Sequence, residues 1–261
     1  MPCTWLGDVY YAGRRSEFTK HFKKPLKKML DNGTELFMLN SNHEMHSGGK
    51  HYFKTLDWKR AKYGHRQEGS YFTLENDKFL IVGIDSDYDK DHRFTDPDLK
   101  DWLEDALTRG KDANKVNILL SANSPYKYNE RKVRKLFSRD LKSILKKDLV
   151  DLWFWGDTHY CALFDRTDKL RFIGSCIGHG GFPYARVDWP SDPPAPIKFL
   201  ETESRFFPYD VRKDRGNNGY CVMKLNPDQS VELRYIDWRG NERYKTKISR
   251  ASANGPLNIF S

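Results

Sequence analysis

The sequence contains no run of about 20 apolar residues, so nothing in it is expected to span a membrane. Its start, Met-Pro-Cys-Thr-Trp-Leu-Gly-Asp, lacks the basic region, apolar run and small-residue cleavage site of a secretory leader. Cysteine is sparse: Cys3, Cys161, Cys176 and Cys221 are scattered, with no C-x-x-C pair. That argues against a zinc ribbon and for reduced thiols in a cytoplasmic protein. Neither an internal repeat nor a low-complexity linker divides the chain, so residues 1–261 read as one domain. A glycine-rich phosphate cradle and a cofactor fingerprint are both missing.

What is present is globular in character: 38% hydrophobic and 31% charged residues in a length that can bury a substantial core. The net charge of +9 favours anionic partners such as phosphorylated small molecules, nucleotides or nucleic acid; a solvated basic face is the plainer account. Lysine and arginine concentrate at 20–28 and 131–147, both helical in pattern. Neither stretch has the aromatic interleaving of a base-stacking platform, so nucleic acid rests on charge alone.

Local patterns predict alternating elements. Residues 34–40 (TELFMLN) form a buried strand after the turn signal Asp31-Asn32-Gly33. Residues 71–75 and 79–85 make a hairpin across Asn76-Asp77. Residues 96–109 make a helix capped by Thr95 or Asp96, with Pro97 in its first turn and Gly110 at its end. Strands follow at 116–120 and 149–155, separated by an amphipathic basic helix at 131–147, and later at 170–173, 219–225 and 231–237. Pro190–Pro196 reads as a surface loop. Strands alternating with helices, then mostly strands, imply stacked α/β layers.

Four polar clusters sit where these strands end: 6–11, 41–44, 121–125 and 156–159. Ligands of open α/β sheets gather at the carboxyl ends of strands, and a hard divalent cation needs donors from separate elements. Asp8, Asn42, Asn123, Asp157 and His159 are the candidates. Singly, each cluster is equally a turn, a helix cap or a satisfied polar pair.

Their order carries more. Gly7-Asp8-Val9-Tyr10-Tyr11-Ala12-Gly13 resembles the GDxYYxG block of calcineurin-like metallophosphoesterases. The run from Asn40 to Gly49 (NSNHEMHSGG) resembles their GNH(D/E) block, in the bacterial variety that continues M-Y-S-G-G. Gly156-Asp157-Thr158-His159 resembles the GHxH block, and 173–183 (IGSCIGHGGFP) an IGHGG-P segment of the same subgroup. The resemblance implies an α/β/β/α sandwich. It further implies a metal-dependent phosphoesterase acting on a phosphomonoester or phosphodiester through a metal-activated water. Asp8 would bridge two metals, Asn42 would bind the second and His159 the first. His43 would be the general acid, oriented by Glu44.

The sequence departs from the family pattern at several positions. Only six residues precede Gly7, and neither aspartate nor histidine is among them. Two ligands of the first metal, and the first core strand, are therefore expected to be absent. The strand-end histidine near 121–125 stands as Asn123 or Ala122, the first histidine of GHxH as Asp157, and the glycine of GNH as Ser41. An oxygen-rich set of Asp8, Asn42, Asn123 and Asp157 favours Mn or Mg, as one or two ions. The same departures support an alternative: a catalytically inactive relative that binds an anionic ligand or a protein partner. The other histidines carry less weight: His179 and His46 are secondary candidates, for the cleft and for substrate contact. His21, His51, His65 and His92 are expected at the surface.

Overall fold

The computed structural model describes residues 2–88, 94–181, 184–204, 214–252 and 255–260. In chain order the first part holds β1 (Cys3–Trp5), α1 (Arg15–Glu17), a π-helical segment (Phe18–Lys23), α2 (Lys24–Asp31) and β2 (Leu36–Met38). Then come α3 (Asn42–Met45), α4 (Lys50–Tyr63), β3 (Phe72–Glu75), β4 (Phe79–Gly83), α5 (Pro97–Asp112) and β5 (Val116–Ser121). A second π-helical segment (Leu136–Asp140) and α6 (Lys142–Lys146) lead to β6 (Leu152–Trp155), β7 (Cys161–Phe164), β8 (Ile173–Ile177) and β9 (Ile197–Leu200). The chain ends in β10 (Gly219–Leu225), β11 (Val231–Asp237), β12 (Glu242–Arg250) and β13 (Leu257–Phe260).

Three sheets form: β3-β4-β5-β6-β8-β7-β9, β10-β11-β12-β13, and the pair β1-β2. In the large sheet β4, β5, β6 and β8 run parallel, flanked by antiparallel β3 on one side and β7-β9 on the other. The period-2 alternation of strand side chains explains how this sheet is covered on both faces. Val116, Ile118, Leu120, Leu152 and Phe154 pack against Val231, Leu233, Tyr235 and Ile248 of the four-stranded sheet, and Leu6 and Phe37 beside the β1-β2 pair join the same core. The intervening Leu119, Trp153 and Trp155 face the opposite way, toward Leu103 and Leu107 of α5 and Leu141 and Ile144 around α6. A third core sets Leu36 and Met38 against Phe18, Phe22, Leu30, Tyr52 and Leu56. The layers are thus helix, sheet, sheets, helix, the α/β/β/α architecture expected. Among the described residues, the strand that feeds Gly7-Asp8 is β1, parallel to β2.

Several sequence expectations shift. The helix expected at 131–147 divides into a π-helical segment and α6. Arg134 N–H is held by the Pro125 carbonyl at 2.8 Å, Leu141 N–H bonds back five residues to Leu136, and Leu141 itself leaves helical geometry (φ −104°, ψ 10°). Helix α5 runs past Gly110 to Asp112, capped by Asp96, whose carboxylate accepts from Asp98 N–H at 2.9 Å and Leu99 N–H at 3.3 Å. Gly110 lies inside it because the Asn117 side chain packs where a Cβ would stand, 2.1 Å away. The strand expected at 170–173 begins at Ile173, while β1, α4, β7, β9, β12 and β13 were not foreseen. No helix among the described residues is long and apolar enough to cross a membrane.

Candidate functional site

Four chain segments that follow strands meet at one place. The β1 strand runs into Gly7 (φ +92°), whose missing Cβ would lie 2.7 Å from Ser41 Cβ. Only glycine combines that backbone angle with so close an approach. Next comes Asp8, itself at φ 56°, a left-handed conformation rare for a side chain of this kind. Glycine is needed again at Gly156, where a Cβ would meet the Leu6 carbonyl at 2.8 Å, and this brings the end of β6 against the end of β1. Ala122, after β5, accepts from Gly156 N–H at 3.1 Å and Asp157 N–H at 2.9 Å. The clusters 6–11, 41–44, 121–125 and 156–159 therefore adjoin, as the sequence pattern implied.

Asp8 is the hub. Its Oδ2 lies 2.9 Å from His159 Nε2, and its Oδ1 accepts the Ser41 hydroxyl. Ser41 Oγ is in turn 3.4 Å from Asn42 Oδ1. Asp8, His159 and Asn42 are thus brought together through Ser41, which the sequence showed only as a replaced glycine. The backbone of the loop is pinned by Glu44, which is fully buried. Its carboxylate accepts from Asp8 N–H (3.0 Å), Val9 N–H (3.1 Å) and Ser41 N–H (2.7 Å), and from the Ser41 hydroxyl (3.0 Å). Burial pushes the Glu44 carboxyl up to about 7, with the N–H donors of Ser41 and Val9 opposing and the Asp8 charge adding. The Ser41–Glu44 pair is a capping box at the start of α3, and its S-x-x-E spacing is readable in sequence.

His43 lies in the first turn of α3. Its Nδ1 bonds the Tyr11 carbonyl at 2.5 Å. A carbonyl only accepts, so Nδ1 carries the proton and Nε2 is the ring's second nitrogen. The group that fixes this ring is thus the Tyr11 backbone, while the oxygens of Glu44 serve the Asp8 loop. His46 is exposed, with its ring 4.9 Å from that of His43. Asn123 donates its Nδ2 to the Ser86 carbonyl at 2.9 Å and receives no bond from Asp8. Asp157 and His159 line one cleft of about 420 Å³, whose rim includes Lys127, Arg134 and Tyr184.

His179 does not open onto a cleft: it is 3% exposed, and burial takes its ring down to about 4. It packs at the start of β10, where Gly219 leaves room for its Nε2. His65, also expected outside, is 7% exposed, and its Nδ1 accepts from Leu36 N–H at 3.4 Å. His92 falls outside the described residues.

The donors can be tested against a divalent ion. Neighbouring ligands of an octahedral ion with bonds of about 2.1 Å lie about 3.0 Å apart. The 2.9 Å between His159 Nε2 and Asp8 Oδ2 matches that spacing, and Asn42 Oδ1 stands on the same chain of contacts. Asp8, Asn42 and His159 are the donors available to a divalent ion; among the described residues no group of three His, Cys, Asp or Glu side chains is arranged to hold one.

Solved structures share the fold at low identity. GAP50, the anchor in the inner membrane complex of Plasmodium, aligns with TM-score 0.58 and 11% identity over 99% of this chain and 79% of its own. The purple acid phosphatase PPD1 of yellow lupin (Lupinus luteus) aligns with TM-score 0.64 and 14% identity over 97% of this chain. The chain spans 47% of that protein's length. A dimetal phosphatase from Danio rerio gives TM-score 0.59 and 11% identity over 94% of this chain and 82% of its own. No curated protein matches the sequence. The calcineurin-like phosphoesterase family model matches residues 4–161, more than half of the 261, and the chain belongs to that family.

Proposed function

We propose that the chain is a phosphoesterase that hydrolyses a phosphomonoester or phosphodiester at the Asp8–His159 site with one Mn or Mg ion. The observation that carries this reading is the 2.9 Å approach of His159 Nε2 to Asp8 Oδ2. Asp8, Asn42 and His159 would hold the ion. Two of these donors are oxygens, which suits Mn or Mg better than zinc. Such an ion, when bound, lowers the pKa of a coordinated water and offsets charge on the phosphoryl oxygens.

The remaining work falls to the chain itself. Glu44 holds Asp8 in its left-handed loop through the N–H groups of Asp8, Val9 and Ser41. Tyr11 O fixes the Nδ1–H tautomer of His43, so a protonated imidazole would deliver its Nε2 proton to the leaving-group oxygen. In the adjoining cleft Arg134 offers charge to an anionic substrate, while Lys127 is paired with Glu130 at 3.0 Å. Substrate identity beyond a phosphate ester rests on the family alone.

Turnover of a chromogenic phosphodiester and its monoester analogue, with Mn, Mg or Zn added, tests this directly. Hydrolysis that requires Mn or Mg and is lost in Asp8→Asn and His43→Ala is the expected result. Equal rates for wild type and both variants with every metal would favour the other reading, a family member that binds an anionic ligand without cleaving it.

A further inference from the structure

The basic run 20–28 is not absorbed by the Asp8 site. It leads to a second cavity of about 510 Å³, walled by the π-helical segment Phe18–Lys23 on one side and the start of α4 on the other. Arg15, Lys23, Lys50, His51 and Lys54 line it, and among the described residues no carboxylate does. Its volume lies within the range of small-molecule pockets, about 300–1,000 Å³.

Four positive charges on one concave surface repel each other. The Lys23 ammonium is held below the usual lysine range, first by burial and then by Arg15. One partner is present: Lys23 Nζ lies 4.4 Å from the centre of the Trp58 ring. Ion pairs found elsewhere on the helical layer, such as Lys27–Asp31 and Arg60–Asp57, have no counterpart here among the described residues. The π-helical winding places Phe18 and Lys23, five residues apart, on the cavity side, with Lys24 N–H bonded to Thr19 O. Phe18 is buried at its base, with its ring 6.3 Å from that of His51. Helix α4 opens into the cavity at Lys50 without a side-chain cap, so its first N–H groups add to the positive potential.

A lone phosphate would balance only about half of four charges, since it carries at most two near neutral pH. We propose that this cavity is a binding site for a small anion with two or more clustered phosphate groups, separate from the Asp8 site. Such a group can come from a free polyphosphate or from a phosphorylated lipid headgroup, which share the chemistry Arg15, Lys50 and Lys54 would recognise.

Calorimetric titration of the full chain with inorganic tripolyphosphate, in EDTA and at fixed ionic strength, tests the site without the metal-dependent one. A parallel arm measures binding to phosphatidylcholine vesicles with and without phosphatidylinositol bisphosphate. The variants are Lys50→Gln/Lys54→Gln, Arg15→Gln and, as a control of equal charge on another helix, Lys142→Gln/Lys146→Gln. The expected result is saturable binding that weakens at least tenfold in the first two and stays as in wild type in the control, with unchanged melting temperatures. Seen with tripolyphosphate, this assigns a free polyphosphate; seen only with the charged vesicles, a headgroup. Absence of saturable binding in both arms, or equal weakening by both double variants, overturns the proposal in favour of a solvated basic face.

Discussion

His159 Nε2 meets Asp8 Oδ2 at 2.9 Å across 151 residues of sequence, and both residues hold left-handed backbone angles, φ 40° and 56°. Such angles in side-chain-bearing residues persist where surrounding contacts enforce them, each at a cost on the order of 1 kcal/mol or more. The Glu44 carboxylate enforces that of Asp8; the close packing of Gly178 against His159 N, where a Cβ would stand 2.8 Å away, helps enforce that of His159. If the pair serves an ion, His159→Ala should raise the Mn concentration needed for half-maximal turnover at least tenfold, the scale on which ligand changes act. Turnover measured across a Mn titration checks this, and an unchanged midpoint would remove His159 from the ion's ligands.

The His43 ring makes a different prediction, because a general acid matters in proportion to how badly the leaving group needs a proton. His43→Ala should lower kcat by about 10²–10⁴ for an alkyl phosphate ester. For a nitrophenyl ester, which leaves readily as an anion, the loss should be far smaller. Comparing both substrates in wild type and variant reads the ratio directly. Equal losses would mean that the ring positions substrate instead of donating a proton.

Much of this was legible in sequence, for physical reasons that differ by element. Strands β5 and β6 lie buried on both faces; β6 (LWFW) reads as an unbroken apolar run and β5 (VNILLS) as one interrupted by Asn117 and ended by Ser121. Helix α4 was invisible because its buried face, Tyr52, Thr55, Leu56 and Lys59, keeps helical spacing but is polar at two of four positions. Strand β12 hides similarly: only Thr246 and Ile248 of its nine residues are buried. At the site, the polar clusters were visible, whereas their wiring was not. Nothing in residue order tells that Glu44 also serves the N–H groups of Asp8 and Val9 or that a Tyr11 carbonyl holds His43, since both depend on a loop path fixed by Gly7.

That loop path can be tested at Gly7 itself. Gly7→Ala must place a methyl 2.7 Å from Ser41 Cβ at φ +92°, so strain and collision combine. A loss of roughly 1–3 kcal/mol is expected, together with reduced turnover, because Ser41 is bonded to Asp8. Gly33→Ala is the matched comparison: its φ of +79° is similar, but nothing lies within 4 Å of the added Cβ. Denaturant melts should show the smaller cost at Gly33, and equal costs would mean that the Ser41 contact relaxes freely.

The buried Lys59 gives a pH signature that no other described lysine should match. Its Nζ donates to the Leu36 carbonyl at 2.6 Å and to Gln67 Oε1 at 3.3 Å, and burial brings its pKa down to about 7. In the unfolded chain an ordinary lysine holds its proton up to about pH 10.4. Between those values the unfolded state binds a proton that the folded state has released, so stability must rise with pH through that window. Below pH 7 both states are charged and the burial penalty is constant. Lys59→Met has no proton to release. Wild type should therefore gain about 2 kcal/mol relative to the variant between pH 7 and pH 9. Taking the difference between the two proteins cancels groups common to both, including the raised carboxyl of Glu44. Denaturant melts at the two pH values decide it. A difference that stays flat would show that Lys59 keeps its charge when buried, with the Leu36 carbonyl and Gln67 offsetting its desolvation.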